Sequence, residues 1–332
     1  MNESARSRSM ILNLVVLITL TLAPGTLPAG EVIVTAEVAR LLARDGATFD
    51  EFGASVSLDG DRVAVASYVD DNDIGFVAGS VYIFERNEDR SWSVVTKILP
   101  LDGLEFEHFG FSVSLDGDRL AVGAHRGRDN GSDSGSAYIF DLNVDGKWLQ
   151  AAKLLPLDGE EFDRFGESIS LDGDRVAVGA YLDDDNGTNS GSAYIFERRD
   201  DGSWPPVAKV LPLDGTSSDL FGESVSLDGD RLAVGANEDD DNGTDSGSAY
   251  VFERNVDGSW SQVAKILSLD GAAVDYFGTS VSLDVDRLAV GAYLDDDNGA
   301  SSGSAYIFER REDGSWPQVA KVLPLDGTSS DL

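Results

Sequence analysis

The sequence predicts an all-β fold, a β-propeller built from five repeats of about 56 residues, each a blade of four antiparallel strands. Three observations carry this reading. Phe-Gly recurs at Phe52, Phe109, Phe165, Phe221 and Phe277, with spacings of 57, 56, 56 and 56 residues. Every tryptophan of the chain falls once per repeat at a fixed phase, at Trp92, Trp148, Trp204, Trp260 and Trp316. Finally, each repeat contains four short runs rich in Val, Ile, Tyr and Phe, separated by Asp, Asn and Gly, as strands and turns require. A period this long exceeds that of leucine-rich repeats. Four strands repeated at a constant period describe a propeller blade.

In the third repeat the strand-like runs are 165–171, 175–180, 192–197 and 204–211. Between the first two lies Asp172-Gly173-Asp174, and a short Asp-Gly loop favours a type I′ hairpin. Asp201-Gly202 turns the third run into the fourth; Asp200–Trp204 faintly resembles the Asp-box of sialidase propellers but is one residue shorter, and reads as a hairpin turn. In the fifth repeat Val285 replaces the turn glycine, so that turn is expected to be strained or of another type. The fourth run carries a lysine at one phase (Lys97, Lys153, Lys209, Lys265, Lys321) and commonly ends in proline, which predicts an exposed edge guarded against aggregation.

A tryptophan held at constant phase marks a packing position more simply than five active sites. The repeats are taken as 52–108, 109–164, 165–220, 221–276 and 277–332, preceded by a lead-in over 31–51. Within the lead-in, Glu37–Leu42 resembles a fourth strand. The last twelve residues, Lys321–Leu332, repeat Lys209–Leu220 letter for letter, so the period places a sixth repeat at position 333. The expectation is a piece of a longer array; a five-bladed ring with one displaced strand is the alternative.

Residues 1–30 differ in kind from the rest. Arg6 and Arg8 precede an apolar stretch over 10–23, then small and turn-forming residues to Gly30, the order of a secretory signal. A stretch of 14 residues falls short of the roughly 20 that span a bilayer as a helix. The expected location is secreted, periplasmic or cell-surface, with no membrane insertion after cleavage; an uncleaved anchor is the rival.

The formal charge of −35 sets the partners. Nucleic acid and anionic lipid both require clustered Lys and Arg, so neither is expected. Without cysteine there is no disulfide, Cys-ligated zinc or thiol chemistry. The two histidines, His108 and His125, stand at unrelated places in the repeat and suggest no paired-His metal site.

These residues resemble the FG-GAP repeats of integrin-α-type propellers, named for a Phe-Gly and a Gly-Ala-Pro motif. Here the second motif reads Val-Gly-Ala at 122–124, 178–180, 234–236 and 290–292 and Val-Ala-Ser at 65–67, with no proline. The nearest likeness is to bacterial extracellular members with Asp-Asp-Asp-Asn-Gly followed by Ser-Gly-Ser-Ala-Tyr, as at 183–187 and 190–194. The resemblance implies a seven-bladed ring and a binding or adhesion role toward an extracellular protein or glycan. It also implies calcium between strands one and two, but Leu-Asp-Gly-Asp-Arg at 227–231 is too tight to wrap six to eight oxygens.

Concentrated acid lies instead between strands two and three. Intact runs occur at 183–187, 239–243 and 295–299, a variant at 70–73, and His125-Arg126-Gly127-Arg128-Asp129 in the second repeat. Chain direction puts these loops on one face with the acids of the inter-repeat links, such as Asp158, Glu160, Glu161 and Asp163. Two readings stand. The loops are solvated acidic turns, since carboxylates about 6 Å apart repel by only ~0.7 kcal/mol in water. Alternatively, Asp183 and Asp185, Asp239 and Asp241, and Asp295 and Asp297 converge on calcium, with the second repeat lacking the site.

One Gly-x-Ser-x-Gly string occurs, at 299–303 in the loop after Asp295-Asp296-Asp297-Asn298, but no helical run follows it to build a strand-to-helix elbow, and neither a phosphate-binding loop nor a His-Glu-x-x-His is present. The sequence therefore reads as a noncatalytic binding module. A spacer array without a ligand, and a hydrolase with an unmarked carboxylate pair, are the competing classes.

Overall fold

Five sheets of four strands account for all the regular structure in the computed structural model, which describes residues 39–324. Among the described residues there is no helix, hence none long and apolar enough to cross a membrane. The candidate signal over 1–30 lies outside the described residues. The sheets occupy 56–98, 112–154, 169–210, 224–266 and 277–322, and each pairs its strands in chain order, all antiparallel.

The third sheet shows how sequence becomes strand. Its strands are Ile169–Asp172, Arg175–Ala180, Ser192–Glu197 and Pro206–Val210. The middle two match the sequence reading residue for residue. The fourth starts later than expected because Pro205 and Pro206 lack N–H groups. Where no proline follows the tryptophan the strand begins at that residue, as in Trp260–Ile266. The first strand also starts late, since Phe165 forms a parallel bridge to Gly135 of the preceding sheet rather than joining its own. Ala39–Leu42, the described part of the fourth-strand-like lead-in, forms no strand.

The two inner strands are buried along nearly their whole length, because this sheet is sandwiched between its neighbours. Their alternation separates large from small. Val176, Val178, Tyr194 and Phe196 pack forward with Phe165 against Ala121, Ala137, Ile139 and Leu154 of the second sheet. Ala177, Ala193, Ile195 and Val210 turn the other way, against Phe221, Val225, Leu227 and Leu232 of the fourth. Bulk on one face thus meets small residues on the next, as close packing requires. The first strands of successive sheets lie against one another while the fourth strands spread apart, giving a propeller its curvature.

The two family-like motifs meet at this joint. Gly222, of Phe-Gly, has φ 99°, and Gly179, of Val-Gly-Ala, lies beneath it. A Cβ on Gly179 would overlap the Gly222 carbonyl oxygen, so glycine is needed for the sheets to approach. Gly222 N–H donates to the carbonyl of Gly235, its own sheet's Val-Gly-Ala glycine, at 2.9 Å.

The Leu-Asp-Gly-Asp-Arg turn is a polar clasp between sheets. Asp172 Oδ2 accepts the Gly229 N–H of the next sheet at 2.6 Å, and Arg175 donates to the Gly229 carbonyl at 2.8 Å and to Asp230 at 2.9 Å. The register pairs Asp172 with Arg175, leaving Gly173-Asp174 as the loop. Of these two only Gly173 has positive φ, 56°, the type II′ arrangement. This corrects the type I′ expectation: Gly opens the loop, with Asp172 at the strand end.

In the fifth sheet Asp284 still pairs with Arg287, and Val285 is forced to φ 52°. The turn keeps its shape and holds a β-branched residue in the left-handed region, the strained outcome. We expect Val285→Gly to stabilise the chain by about 1 kcal/mol and Gly229→Val to cost at least that. Denaturant unfolding of both variants checks this; unchanged midpoints would show the turn unstrained.

Candidate functional site

The acidic loops and the interior end of the same face must be considered separately. In the loops, the sequence-predicted residues do come together, but around an ammonium. Lys209 Nζ lies 2.9 Å from Asp158, 2.9 Å from Asp183 and 2.6 Å from Asp185. Lys265 likewise meets Asp214, Asp239 and Asp241 at 2.8, 3.0 and 2.6 Å. Lys321 meets Asp270, Asp295 and Asp297 at 2.9, 2.9 and 2.5 Å. In the first two sheets, Lys97 and Lys153 each find two carboxylates, Asp45 with Asp70 and Asp102 with Asp129.

Each lysine also lies about 5 Å from a tyrosine ring centroid, 5.0 Å for Lys209 over Tyr194, a cation–π contact. Burial opposes the charge on Lys209, but hydrogen bonds to Asp185, Tyr194, Asp183 and Asp158 raise its pKa well above the ordinary lysine value. Burial and the charge of Asp183 raise Tyr194. These lysines are therefore not exposed guards of an edge strand, as the sequence suggested, but the counter-charges of the loops. The rest of the Asp-Asp-Asp-Asn-Gly run is internally satisfied. Asp183 Oδ1 accepts the Asp185 N–H at 3.1 Å, Asp184 Oδ1 accepts that of Asn189 at 2.7 Å, and Asn186 Nδ2 donates to the Pro212 carbonyl at 3.2 Å.

A recess of about 210 Å³ lined by Asp158, Glu160, Asp163, Asp183, Asp184 and Asp185 remains beside Lys209. Calcium requires six to eight oxygens at 2.3–2.6 Å. The inward oxygens of Asp158, Asp183 and Asp185 are turned to Lys209 instead, and among the described residues no three acidic or histidine side chains are arranged to hold a metal. The donor set does not fit the ion. Thermal unfolding at fixed ionic strength should accordingly give the same midpoint in calcium and in chelator. Lys209→Met should instead lower stability, toward the lower end of the about 3–5 kcal/mol for an orphaned buried charge, since Asp183 is buried and Lys209 is 17% exposed.

The second region was missed by motif reading. It is built from positions at which the otherwise similar repeats disagree. The residue before Phe-Gly is Glu51, His108, Arg164, Leu220 or Tyr276, and the residue after it is Ala54, Phe111, Glu167, Glu223 or Thr279. Following the second motif stand Tyr68, His125, Tyr181, Asn237 and Tyr293. All five residues before Phe-Gly adopt φ between 54° and 59°, so the backbone there is constant while the side chain varies.

These positions form a band where the first strands begin, at the inner end of the loop face. Tyr68 lies against His108 and Phe111, with centroids 5.1 and 5.2 Å apart. His108 meets His125 at 5.1 Å and Phe111 meets His125 at 3.9 Å. His125 Nδ1 lies 3.4 Å from Glu167 Oε2. At the other end Tyr276 and Tyr293 are 5.4 Å apart. The two histidines are thus neighbours, which corrects the sequence reading. His108 precedes one Phe-Gly and His125 follows a Val-Gly-Ala, and only the fold shows that those sites adjoin.

Burial, aided by Arg126 and Arg164, holds His108 down to about 4. Burial, then His108 and the same arginines, brings His125 to about 2. Burial pushes Glu167 up to about 7 and Glu223 up to about 7. The His125–Glu167 contact therefore joins an uncharged imidazole to a carboxyl that titrates near neutrality, and it lacks hydrogen-bond geometry. His108 Nδ1, both His125 nitrogens, Glu167 Oε2, and the Nε atoms of Arg126 and Arg164 have no protein partner. Buried polar atoms ordinarily find one, so this band has unspent hydrogen-bonding capacity.

The comparisons with known proteins agree with the geometry. The FG-GAP repeat family model matches residues 35–84, 92–140, 148–196, 204–252 and 260–308. The chain belongs to the FG-GAP repeat family. From the second match onward, each starts at the tryptophan that opens or just precedes a fourth strand and ends in the third strand of the next sheet, so the family unit straddles two blades. Integrin alpha-6 of Gallus gallus is 29% identical over 182 residues, covering 49% of this chain and 16% of that protein. The chain spans about a sixth of that relative's length. A crystal structure of a protein from Lactobacillus plantarum shares the fold with a TM-score of 0.50 and 14% identity, over 82% of this chain and 71% of the other.

The titrations have opposite signs. The lowered histidines give stability that is present above about 6.5 and lost as pH falls toward 4, because the unfolded chain then binds protons first. The raised glutamates act oppositely, with stability returning as pH falls through 7. The double variant His108→Gln/His125→Gln should therefore lose less stability between pH 7 and pH 5 than the parent chain; an equal loss in denaturant midpoints would contradict the buried neutral imidazoles.

Proposed function

We propose that this FG-GAP chain is a noncatalytic extracellular binding module that contacts a protein or glycan through the band running from Tyr68 to Tyr181. One observation carries the reading. Where five repeats share a scaffold, the positions free to differ are those that touch something other than the scaffold, and here they gather in one place with unpartnered polar atoms. Aromatic rings and Arg126 and Arg164, half-buried on a constant backbone, are the residue types that anchor interfaces. The family membership and the integrin α-type relative support an extracellular adhesion role, as does the candidate signal. This reading needs no calcium, since lysines already balance the acidic loops.

A hydrolytic reading has one observation in its favour: burial pushes Glu167 and Glu223 toward neutrality, and the charge of Glu223 adds to the rise at Glu167. Pairs of carboxyls with raised affinity for protons do serve as general acids. Turnover of generic glycosides, abolished by Glu167→Gln and Glu223→Gln, would establish it.

The test of the binding reading is a glycan and extracellular-protein array probed with the parent chain and with Tyr68→Ala/Arg126→Ala. A ligand retained by the parent and weakened at least tenfold by the double variant is expected. A ligand bound equally by both would move the contact surface elsewhere.

A further inference from the structure

The joint between sheets is made four times within the chain, and its two halves are left over at the ends. In each joint a front face, carrying Val and Leu of the first strand, covers the back face of the preceding sheet. Val113 and Leu115 are 8% and 6% exposed, and the fourth sheet's Val225 and Leu227 are likewise 8% and 6%. In the first sheet the same positions, Val56 and Leu58, are 63% and 66% exposed. At the back face, Leu154 and Val210 are 1% and 4% exposed, whereas Val322 of the fifth sheet is 54% exposed. Core clusters join the first sheet to the second, and so on to the fifth; among the described residues none joins the fifth to the first.

The polar half of the joint is open in the same way. Arg62, Arg119, Arg175 and Arg231 each reach an aspartate of the following sheet, and their side chains are 18–27% exposed. Arg287 is 71% exposed and, among the described residues, pairs only with Glu309 of its own sheet. At the opposite end, Asp61 is paired among the described residues by Arg86 alone, where its counterpart Asp174 meets both Arg198 and, from the preceding sheet, Arg119. A serine of each first strand accepts an N–H from the next sheet, as Ser226 does from Leu283 at 2.9 Å. Ser282, its counterpart in the fifth sheet, is exposed. Even the close approach is vacant, since a Cβ on Gly291 would meet only Ser280 of its own sheet.

We infer that the chain associates head to tail with a second copy of itself, the first sheet of one copy seating on the fifth sheet of the other. The occupant is identified by complementarity. Arg287 reaches no sheet but its own, and by the pattern of Arg231, which meets the Val285 carbonyl and Asp286, the acceptors it would find are the Gly60 carbonyl and Asp61. Val56 and Leu58 would cover the face carrying Ile307 and Val322 as Val225 and Leu227 cover the face of Ile195 and Val210. Such an interface is heterologous, so it propagates into a ring or an open fibre rather than stopping at a symmetric dimer. Like charges on −35 chains oppose it, so added salt should strengthen association.

The full chain should be followed by sedimentation velocity over a wide concentration range, beside two blocked variants. Val56→Glu/Leu58→Glu closes the head, and Arg287→Ala/Val322→Glu closes the tail; all four positions are exposed, so unchanged unfolding midpoints verify folding. We expect the parent to rise above single-chain mass with concentration. Each blocked variant should remain a single chain, and their equimolar mixture should form a species of twice that mass and no larger. A parent that stays at single-chain mass throughout, with its end faces covered within one chain or left bare, would overturn the proposal. So would association that persists in both blocked variants.

Discussion

The approach of one sheet to the next at the Phe-Gly and Val-Gly-Ala glycines is the constraint on which the rest of the structure depends. Gly179 admits the Gly222 carbonyl only because it carries no side chain. With the backbones that close, Phe221 is fully buried between sheets, and Val225 and Leu227 reach Ile195 and Val210. The Asp-Gly-Asp-Arg clasp then closes over the near end of the joint. Apolar burial, at roughly 25 cal/mol per Å², provides the driving force, while the glycines and clasps fix the geometry in which burial can occur. Stability in such an array is a sum over joints between neighbours.

Charge is organised by the same repeat. A chain of −35 would repel itself if its acids were scattered over one surface. Instead each loop focuses two or three carboxylates on one lysine from a fourth strand, over the ring of a tyrosine from the third. A lysine tethered in the fold provides a single positive charge without a dissociation equilibrium. This arrangement leaves the inner band, with its histidines, arginines and tyrosines, as the part of the face whose chemistry differs from repeat to repeat.

Much of the fold was legible in the sequence because it is written five times. The inner strands over 175–180 and 192–197 were delimited correctly, since both faces of each are apolar and the turns are marked by Asp and Gly. The outer strands were overextended: Pro206 cannot join the ladder from its N–H, and Phe165 pairs across sheets. Period also concealed the site. Asp183 and Asp185 drew notice because they recur, yet the lysine that meets them stands in another strand, 26 and 24 residues away. His108 and His125 look unrelated in sequence because they stand at different phases of the repeat. Departures such as His125-Arg126 in an otherwise acidic loop were visible; that they adjoin Glu167 of the following sheet required the fold.

The most direct test of the joint compares two glycines of equal rank in the repeat. Gly235 faces the Gly278 carbonyl of the following sheet, while Gly291 faces no following sheet. Gly235→Ala and Gly291→Ala should be measured by denaturant unfolding at concentrations where the chain is a single copy. If the sheets are held by this approach, Gly235→Ala costs about 1–3 kcal/mol or more. Gly291→Ala is then neutral or slightly stabilising, by up to about 1 kcal/mol, since alanine is the better strand residue. Equal effects at the two sites would contradict the account.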